Sequence, residues 1–291
     1  MMKWILTIIV LVKVIMVEAG VISTQVFEDF CKFKVYSNSG VFNPDEVEAG
    51  DTIYVRVSAL DNFFKNYFPL ILKPFVLITG RGLGTVDKKY IPYLEGEKLI
   101  HWFGINITIK HPKLTIIPLG VPWNAKNQML VEYEDLYSNC SVEKFFMDKP
   151  IFIYVNWKKT DPSREVLLNY YETIEGCEIV KSTYVQKFML NVEASKYVIS
   201  PRGYNIDCFR TWEALYAGSI PVVQSYGIDA VYDDLPIIIV PDLAKVTPEI
   251  LEIELEKLKS RTFNLEKLGC EYWFNLIRSY CTGQNVILSA S

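Results

Sequence analysis

Short runs of consecutive apolar residues alternate with segments of helical character along most of this chain. In the first part, the runs that predict buried strands are Ile53–Val57, Phe75–Thr79, Leu99–Phe103 and Leu114–Pro118. Ala59–Tyr67 and Lys88–Leu94 are predicted as helices between them. Continuous apolar strands separated by helices are typical of a parallel sheet that is covered on both faces.

A second alternating series begins at Ile151. Its predicted strands are Ile151–Val155, Cys177–Lys181, Tyr197–Ser200, Ile220–Val223 and Pro236–Val240. Its predicted helices are Ser163–Ile174 with Ser163 as N-cap, Lys187–Ser195, a helix that ends before Gly218, Thr247–Lys259, and Asn264–Tyr280. Residues 120–149, with Pro122 and Pro150 at the margins, are predicted as a linker. The predicted fold class is α/β, GT-B-like, with two Rossmann-like halves (20–149 and 150–291) and a ligand cleft between them.

The composition fits a folded chain with a substantial core. The 291 residues are 50% hydrophobic and 14% aromatic, which argues against wholesale disorder and allows one large domain or two of ordinary size. The net charge is −4, from 30 basic and 34 acidic residues. We therefore expect no nucleic-acid partner, because proteins that bind nucleic acids usually carry a basic surface.

Residues 1–19 have the pattern of a signal peptide. Lys3 precedes the apolar stretch Trp4–Val17, and Val17-Glu18-Ala19 is a small-residue cleavage pattern. The stretch is shorter than the roughly 20 residues that cross a bilayer, and Lys13 interrupts it. We expect cleavage near Gly20 and a location in the secretory lumen (ER or Golgi) or outside the cell. Membrane association is expected only through this segment if it stays uncleaved. A cytoplasmic protein with an apolar first strand is the alternative.

The cysteines and sequons leave several interpretations open. No CxxC or Cys/His spacing predicts zinc, and the even number of cysteines permits up to three disulfides or six buried thiols. The sequons at Asn106 and Asn139 would be usable only in a secretory lumen. The six cysteines are Cys31, Cys140, Cys177, Cys208, Cys270 and Cys281.

The richest segment in chemical signals is Tyr197–Val223, which predicts a strand, a loop, a helix and a second strand. The loop contains Arg202 and Gly203, and Asn205 and Asp207 are candidate caps for the helix. A glycine-containing loop before a helix offers backbone N–H groups and the positive helix end to a phosphate. Arg202 and Arg210 can add charge-assisted bonds, and Glu213 can accept bonds from two neighbouring hydroxyls. These features suit a nucleoside diphosphate-sugar. A surface ion pair between Arg210 and Glu213 is the structural alternative.

The same segment resembles the C-terminal half of exostosin-type glycosyltransferases, and more closely the exostosin-like proteins typified by ribitol xylosyltransferase. The matching residues are Ser200–Gly203, Asp207-Cys208, Arg210–Leu215, Gly218–Val223 and Leu235-Pro236, with a looser similarity upstream in Phe75–Thr79, Trp102-Phe103 and His111–Pro122. The resemblance implies a GT-B fold, a nucleotide-sugar donor, no obligatory metal, and donor binding by 150–291 with the acceptor on 20–149.

One segment departs from the family pattern. Relatives usually place a polar, acid-containing segment after the strand that corresponds to Phe75–Thr79, whereas this chain has Gly80-Arg81-Gly82-Leu83-Gly84. Gly80 and Gly82 are candidates for a phosphate loop, with a flexible turn as the alternative. The acidic pair Asp233-Asp234 is interpreted as a solvated turn because no third metal ligand is nearby.

The candidates for a catalytic base are acidic or imidazole side chains of the first half. Asp87 and Glu95, which are predicted to lie in loops after strands, are preferred to His111 and to His101, which is predicted to be a core histidine. Tyr204 is a candidate for stacking on the nucleobase.

The predicted function is a glycosyltransferase that moves a sugar from a nucleotide donor, expected to be UDP-linked, to a glycan or glycoprotein acceptor. The donor-binding residues are expected to be Arg202, Gly203, Tyr204, Arg210 and Glu213, with no metal and no cofactor. A non-catalytic carbohydrate- or nucleotide-binding protein of degenerate transferase descent is the alternative from another class. A dinucleotide-dependent dehydrogenase is disfavoured because the chain lacks the GxGxxG fingerprint.

Overall fold

The computed structural model describes residues 20–36, 42–122, 127–181 and 184–283, with the side chains of 127 and 128 excepted. The predicted signal peptide, residues 1–19, lies outside the described residues. None of the helices in the described ranges combines the length and the apolar character that a bilayer crossing requires.

In the described part of the chain, the first sheet has five parallel strands that lie side by side in chain order. They are β1 (Phe33–Val35), β2 (Thr52–Arg56), β3 (Phe75–Gly80), β4 (Leu99–Gly104) and β5 (Leu114–Ile116). All six residues of β3 are buried, as expected for a strand that is covered on both faces. The short strand β1 was not predicted, because three residues carry too little pattern to be recognised.

The second sheet is also parallel throughout, but its strand order reverses direction. Its strands are β6 (Ile151–Val155), β7 (Cys177–Ile179), β8 (Ser195–Ile199), β9 (Ile220–Gln224) and β10 (Ile238–Val240). They are arranged in the order β10-β9-β8-β6-β7. The chain therefore moves outward from β6 to β7 and returns to the other side of β6 at β8. Ligands of such sheets bind at this switch point, beyond the carboxyl ends of the two central strands.

Helices cover the two sheets and connect their strands. The α-helices are α1 (Thr24–Phe30), α2 (Leu60–Asn62, continued by a π-helical turn over Phe63–Tyr67), α3 (Ile91–Leu94), α4 (Asn127–Ser138), α5 (Val142–Phe146), α6 (Ser163–Tyr171), α7 (Val185–Glu193), α8 (Phe209–Tyr216), α9 (Pro248–Lys259) and α10 (Cys270–Cys281). Short 3-10 turns occupy Pro44–Glu46, Val57–Ala59, Lys88–Tyr90, Asp229–Tyr232, Leu243–Lys245 and Leu265–Leu268. The fold class predicted from the sequence, α/β with two Rossmann-like halves, is confirmed.

Several local predictions are wrong. Residues 120–149 are not a linker without structure, because they contain α4 and α5. The N-cap of α6 is Pro162 and not Ser163, whose N–H is instead bound by the Asp161 carboxylate at 3.0 Å. Neither Asn205 nor Asp207 caps α8; Cys208 holds the N-cap position, and its side chain makes no cap hydrogen bond. Several neighbouring residues of these turns have side chains that could cap a helix, and the path of the backbone decides which residue occupies the cap position.

The last helix crosses back to the first sheet. On α10, the Phe274 ring stacks on Phe30 with centroids 4.5 Å apart, and Tyr280 lies 3.9 Å from the His101 ring of β4. The final segment predicted as one helix from Asn264 is instead a 3-10 turn followed by α10. The division of the chain near residue 150 stays a prediction, and the return of α10 shows that the first half also receives packing from the chain's end.

Candidate active site

A cleft of about 440 Å³ lies between the two halves, at the switch point of the second sheet. Its second-half wall comes from the loops that follow β6 and β8 and from the first turns of α8. Leu119 and Pro122 of the first half, Met129 of α4, and Val185 and Phe188 of α7 complete the lining. The lining residues are Leu119, Pro122, Met129, Asn156, Lys158, Thr160, Arg164, Val185, Phe188, Gly203, Tyr204, Asn205, Asp207, Cys208, Phe209, Arg210 and Glu213.

Arg210 presents a positive charge to this cleft, and no carboxylate of the described residues lies within ion-pair distance of it. It makes no hydrogen bond or ion pair with another described residue, and its Nε atom is buried without a partner. Burial and the neighbouring charge of Arg164 lower the pKa of Arg210, which shows that the site disfavours the extra positive charge. The surface ion pair between Arg210 and Glu213 is not formed: no such pair lies within 4 Å in the described part. A guanidinium in this setting is suited to pair with an anion from outside the chain.

Arg164 fixes the loop that carries the Pro-Arg-Gly sequence. It is 5% exposed, and its guanidinium donates to three backbone carbonyls: Nε to Arg202 at 2.7 Å, Nη2 to Pro201 at 2.8 Å, and Nη1 to Lys158 at 2.9 Å. The loops after β6 and β8 are therefore tied together at the switch point. The charge of Arg164 remains in the wall of the cleft, because carbonyl groups accept hydrogen bonds without neutralising it.

Both arginines occupy the second position of a helix that begins at the cleft. Arg164 follows Ser163 at the start of α6, and Arg210 follows Phe209 at the start of α8. Basic residues are disfavoured there, since the backbone dipoles already make a helix N-terminus positive. Two helix ends and two guanidinium groups converge at one cleft, which is the arrangement expected at an anion-binding site.

Glu213 lies one turn beyond Arg210 and is 7% exposed. Its Oε1 atom accepts a hydrogen bond from the hydroxyl of Tyr133 on α4, at 2.8 Å. Burial raises the pKa of Glu213, whereas the Tyr133 bond and the Arg210 charge act in the opposite direction. One carboxylate oxygen is thus held by the protein, and the carboxyl group faces the cleft.

Not all the predicted donor-binding residues line the cleft. Gly203, Tyr204, Arg210 and Glu213 do, and Tyr204 is 68% exposed at its edge. The Arg202 side chain lies outside the set of lining residues. Its Nε atom is 3.4 Å from an Asp161 carboxylate oxygen, and its guanidinium lies over the Tyr226 ring at 5.3 Å.

The candidates from the first half lie at different edges of its sheet. Gly80 is the last residue of β3 and Gly82 lies in the loop after it, and neither lines the cleft. This loop is linked to the cleft by Asn106, which donates to the Gly84 carbonyl at 3.4 Å and to Asn205 Oδ1 at 2.9 Å. Asp87 caps the 3-10 turn after this loop by accepting from the Lys89 N–H at 3.0 Å. The phosphate role of this loop stays a prediction.

Glu95 was predicted to lie in a loop after a strand, and that placement is wrong. It follows α3 and precedes β4, so it lies at the amino edge of the first sheet, where it is exposed and 3.8 Å from His111 Nε2. The cleft is formed at carboxyl ends of strands, and the fold therefore does not bring Glu95 or His111 to it. His101 is 2% exposed and pairs with Thr115 Oγ1 at 2.8 Å, which confirms that it is a core histidine.

A buried carboxylate joins the two halves beside the cleft. Asp207 accepts from the Leu119 N–H of the first half and from the Trp212 indole through Oδ2, both at 2.8 Å. Its Oδ1 accepts from the Cys208 N–H and the Tyr232 hydroxyl at the same distance. With four donors around it, Asp207 has a structural role, and the loop that carries Tyr204 is anchored to the first half.

Metal and thiol chemistry find little support in the described residues. No group of three or more His, Cys, Asp or Glu side chains within the described ranges is arranged to hold a metal ion. No disulfide joins the cysteines in the described part of the chain. Cys270 and Cys281, the closest pair in sequence, lie at opposite ends of α10, roughly 16 Å apart, which is too far for a disulfide. Asn106 is 1% exposed and so cannot carry a glycan in the folded protein, whereas Asn139 is exposed.

Sequence reasoning missed Lys158, Arg164 and Tyr133. Lys158 could have been recognised from the sequence, because it follows the predicted strand β6 and so lies near the carboxyl end of that strand. Arg164 could also have been recognised, because an arginine in the first turn of a predicted helix opposes the helix dipole. No sequence feature identified Tyr133, because it lies in the segment that was predicted as a linker.

Residues 153–231 match the family described as the RXYLT1 C-terminal domain. The match confirms the predicted resemblance to ribitol-xylosyltransferase-like glycosyltransferases over this segment, which contains Arg164, Arg210 and Glu213. No curated protein matches the chain significantly.

Two solved structures are similar to this chain at low identity. The GtfA/B complex is 10% identical with a TM-score of 0.37, over 82% of this chain and 57% of that chain. A glycosyltransferase from Rickettsia africae ESF-5 is 12% identical with a TM-score of 0.37, over 86% of this chain and 80% of that one.

Proposed function

We propose that this protein is a glycosyltransferase that uses a nucleotide-activated sugar as donor, with UDP as the expected nucleotide. The observation that carries the proposal is Arg210, a partly buried guanidinium without a carboxylate partner, which faces a cleft at the switch point of a parallel sheet. The donor diphosphate would lie between Arg210, the start of α8 and the loop at Gly203. Glu213 would face the ribose, and Tyr204 at the edge would contact the base.

The arrangement provides charge stabilisation for a leaving diphosphate. When the bond between sugar and phosphate breaks, negative charge develops on the diphosphate, and fixed positive groups lower the energy of that state. Arg164, Arg210 and Lys158 supply three positive charges to the lining, against the two carboxylates of Asp207 and Glu213. This set supports a proposal of catalysis without an obligatory metal. The acceptor, a glycan or glycoprotein, would approach from the first half. A secretory-lumen location is proposed from the N-terminal segment and the family resemblance.

The second candidate, a non-catalytic binding protein of transferase descent, is favoured by one observation. The described residues that line the cleft include only two carboxylates, and both are already hydrogen-bonded within the protein, Asp207 by four donors and Glu213 by Tyr133. Asp207 has no oxygen left for an acceptor hydroxyl, and the open oxygen of Glu213 is the one proposed to face the ribose. Asp87 stays the proposed base candidate of the first half, which would require the acceptor to bind near the loop after β3.

The test of donor binding is calorimetric titration of UDP and GDP into the parent and two arginine variants. Arg210→Ala should weaken binding at least about tenfold, because hydrogen bonds to charged groups contribute roughly 1.5–3 kcal/mol. Arg261→Ala, which removes an exposed arginine of the same half, is the matched control and should leave the affinity unchanged. Equal affinities of the Arg210 variant and the parent would remove Arg210 from the site.

The test of catalysis uses the same proteins and a panel of UDP- and GDP-sugars. Release of nucleoside diphosphate, by hydrolysis or by transfer to added glycans, is followed by chromatography. Turnover that is lost in Arg210→Ala supports the transferase. Tight nucleotide binding with no turnover on any donor favours the non-catalytic candidate instead.

A further inference from the structure

The hydrogen bond between Tyr133 and Glu213 leaves one oxygen of the Glu213 carboxylate open to a ligand in the cleft, a feature that the donor proposal does not require. Tyr133 lies on α4, is 1% exposed, and donates its hydroxyl to Glu213 Oε1. No described residue donates a hydrogen bond to the second oxygen, Oε2, and this atom is not among the buried unpartnered ones. Since Glu213 lines the cleft, Oε2 is the carboxylate oxygen that a ligand can reach.

Few charged groups surround this carboxylate. Arg210 precedes it by one turn on α8, and the Tyr133 hydroxyl faces it from α4. Burial, the neighbouring Glu213 carboxylate and, to a smaller extent, the Glu132 carboxylate raise the pKa of Tyr133, so the hydroxyl keeps its proton and remains a donor at neutral pH. A tyrosine that can only donate to Oε1 fixes both the rotamer of the carboxyl group and the direction in which Oε2 points.

We propose that Tyr133 is a positioning residue that holds Glu213 so that Oε2 alone accepts a hydrogen bond from one ribose hydroxyl of the bound nucleotide. This inference rests on the proposed donor site. The sequence predicted that Glu213 would accept hydrogen bonds from two neighbouring hydroxyls. With Oε1 occupied, the site recognises one hydroxyl strongly, and it should therefore distinguish the two deoxyribose isomers of a nucleotide.

The experiment compares the binding of UDP, 2′-deoxy-UDP and 3′-deoxy-UDP to the full chain by calorimetry, with the GDP series in their place if only GDP binds. The parent should bind one deoxy isomer at least about tenfold more weakly than UDP, because a hydrogen bond to a charged acceptor is lost, and the other nearly as well as UDP. Tyr133→Phe should weaken UDP binding and reduce this discrimination to about twofold or less.

Two variants separate positioning from general damage. Tyr137→Phe changes a tyrosine one turn further along α4, which is not in the cleft lining, and should leave the discrimination intact. If Tyr133 acts through Glu213, the double variant Tyr133→Phe/Glu213→Gln should bind UDP no more weakly than Glu213→Gln alone. Thermal unfolding of every variant shows whether the fold is retained. If Tyr133→Phe lowers the stability, the comparison of the double variant with Glu213→Gln still tests whether Tyr133 acts through Glu213.

The pH profile supplies a second readout. Loss of the Tyr133 donor should raise the pKa of Glu213 further, because the ionised carboxylate loses its hydrogen bond. The UDP affinity of Tyr133→Phe should therefore increase with pH more steeply than that of the parent, and a profile identical to the parent's would contradict the proposal.

The outcomes distinguish this inference from the donor proposal. Discrimination that is lost in Glu213→Gln but kept in Tyr133→Phe overturns the role of Tyr133 and leaves the donor site standing. Equal loss on both deoxy isomers overturns recognition by one oxygen. Additive losses in the double variant overturn the coupling. If the parent binds neither UDP nor GDP, the donor proposal and the inference both fail.

Discussion

The buried imidazole of His101 should make the protein sensitive to acid. It lies within the first sheet, hydrogen-bonded to Thr115 and packed against Tyr280 of α10. Burial, together with the positive charges of Lys113 and His111, lowers the pKa of His101 from 6.5 to about 3. In the unfolded chain the same side chain titrates at its ordinary value, so between pH 6.5 and 3 the unfolded state binds more protons than the folded state.

The sign and size of the effect follow from this difference. Because the unfolded state binds the extra proton, stability falls as the pH falls through this window. Each pH unit below 6.5 costs about 1.4 kcal/mol, which gives about 2 kcal/mol between pH 7.5 and pH 5 from this one side chain. A loss of that size is a large fraction of the usual stability of a folded domain.

The assay is urea unfolding at pH 7.5 and pH 5, followed by tryptophan fluorescence in the parent and in His101→Gln. Glutamine cannot be protonated, and its amide can still bond Thr115. The variant should therefore show a pH-dependent loss about 2 kcal/mol smaller than the parent's. Identical pH dependence in the parent and His101→Gln would show that His101 is protonated in the folded protein without cost, which would refute the reasoning.

Two further predictions concern the loop at the cleft. Gly203→Ala should lower the free energy of unfolding by about 1–3 kcal/mol, because a β-carbon there would lie 2.8 Å from Arg164 Nη2, which its carbonyl bonds hold in place. Gly96→Ala, where nothing lies within 4 Å, is the control in the same urea titrations. Arg164→Lys should cost about 2 kcal/mol or more, since an ammonium cannot reach all three carbonyls and leaves buried acceptors unpaired. Arg261→Lys should be neutral, and an equal cost for both lysine variants would show that the carbonyl contacts do not stabilise the loop.

The sequence by itself determined the strands and the spacing on α8. Runs such as Phe75–Thr79 are apolar at consecutive positions because both faces of the sheet are covered. The burial of these strands can therefore be predicted from the local sequence. Arg210 and Glu213 are three residues apart on one helix, and helical geometry alone places them on a common face.

Only the tertiary structure decided which side chains meet at the cleft. Arg164 reaches the Pro-Arg-Gly loop across 37 residues because β8 lies beside β6, and Tyr133 reaches Glu213 across 80 because α4 packs on α8. The Arg202 side chain pairs with Asp161, and Glu95 lies at the amino edge of the first sheet, so the tertiary structure brings neither side chain to the cleft. Local periodicity records whether a residue is buried, whereas its partners depend on strand order and on the direction of the backbone, which no local pattern encodes.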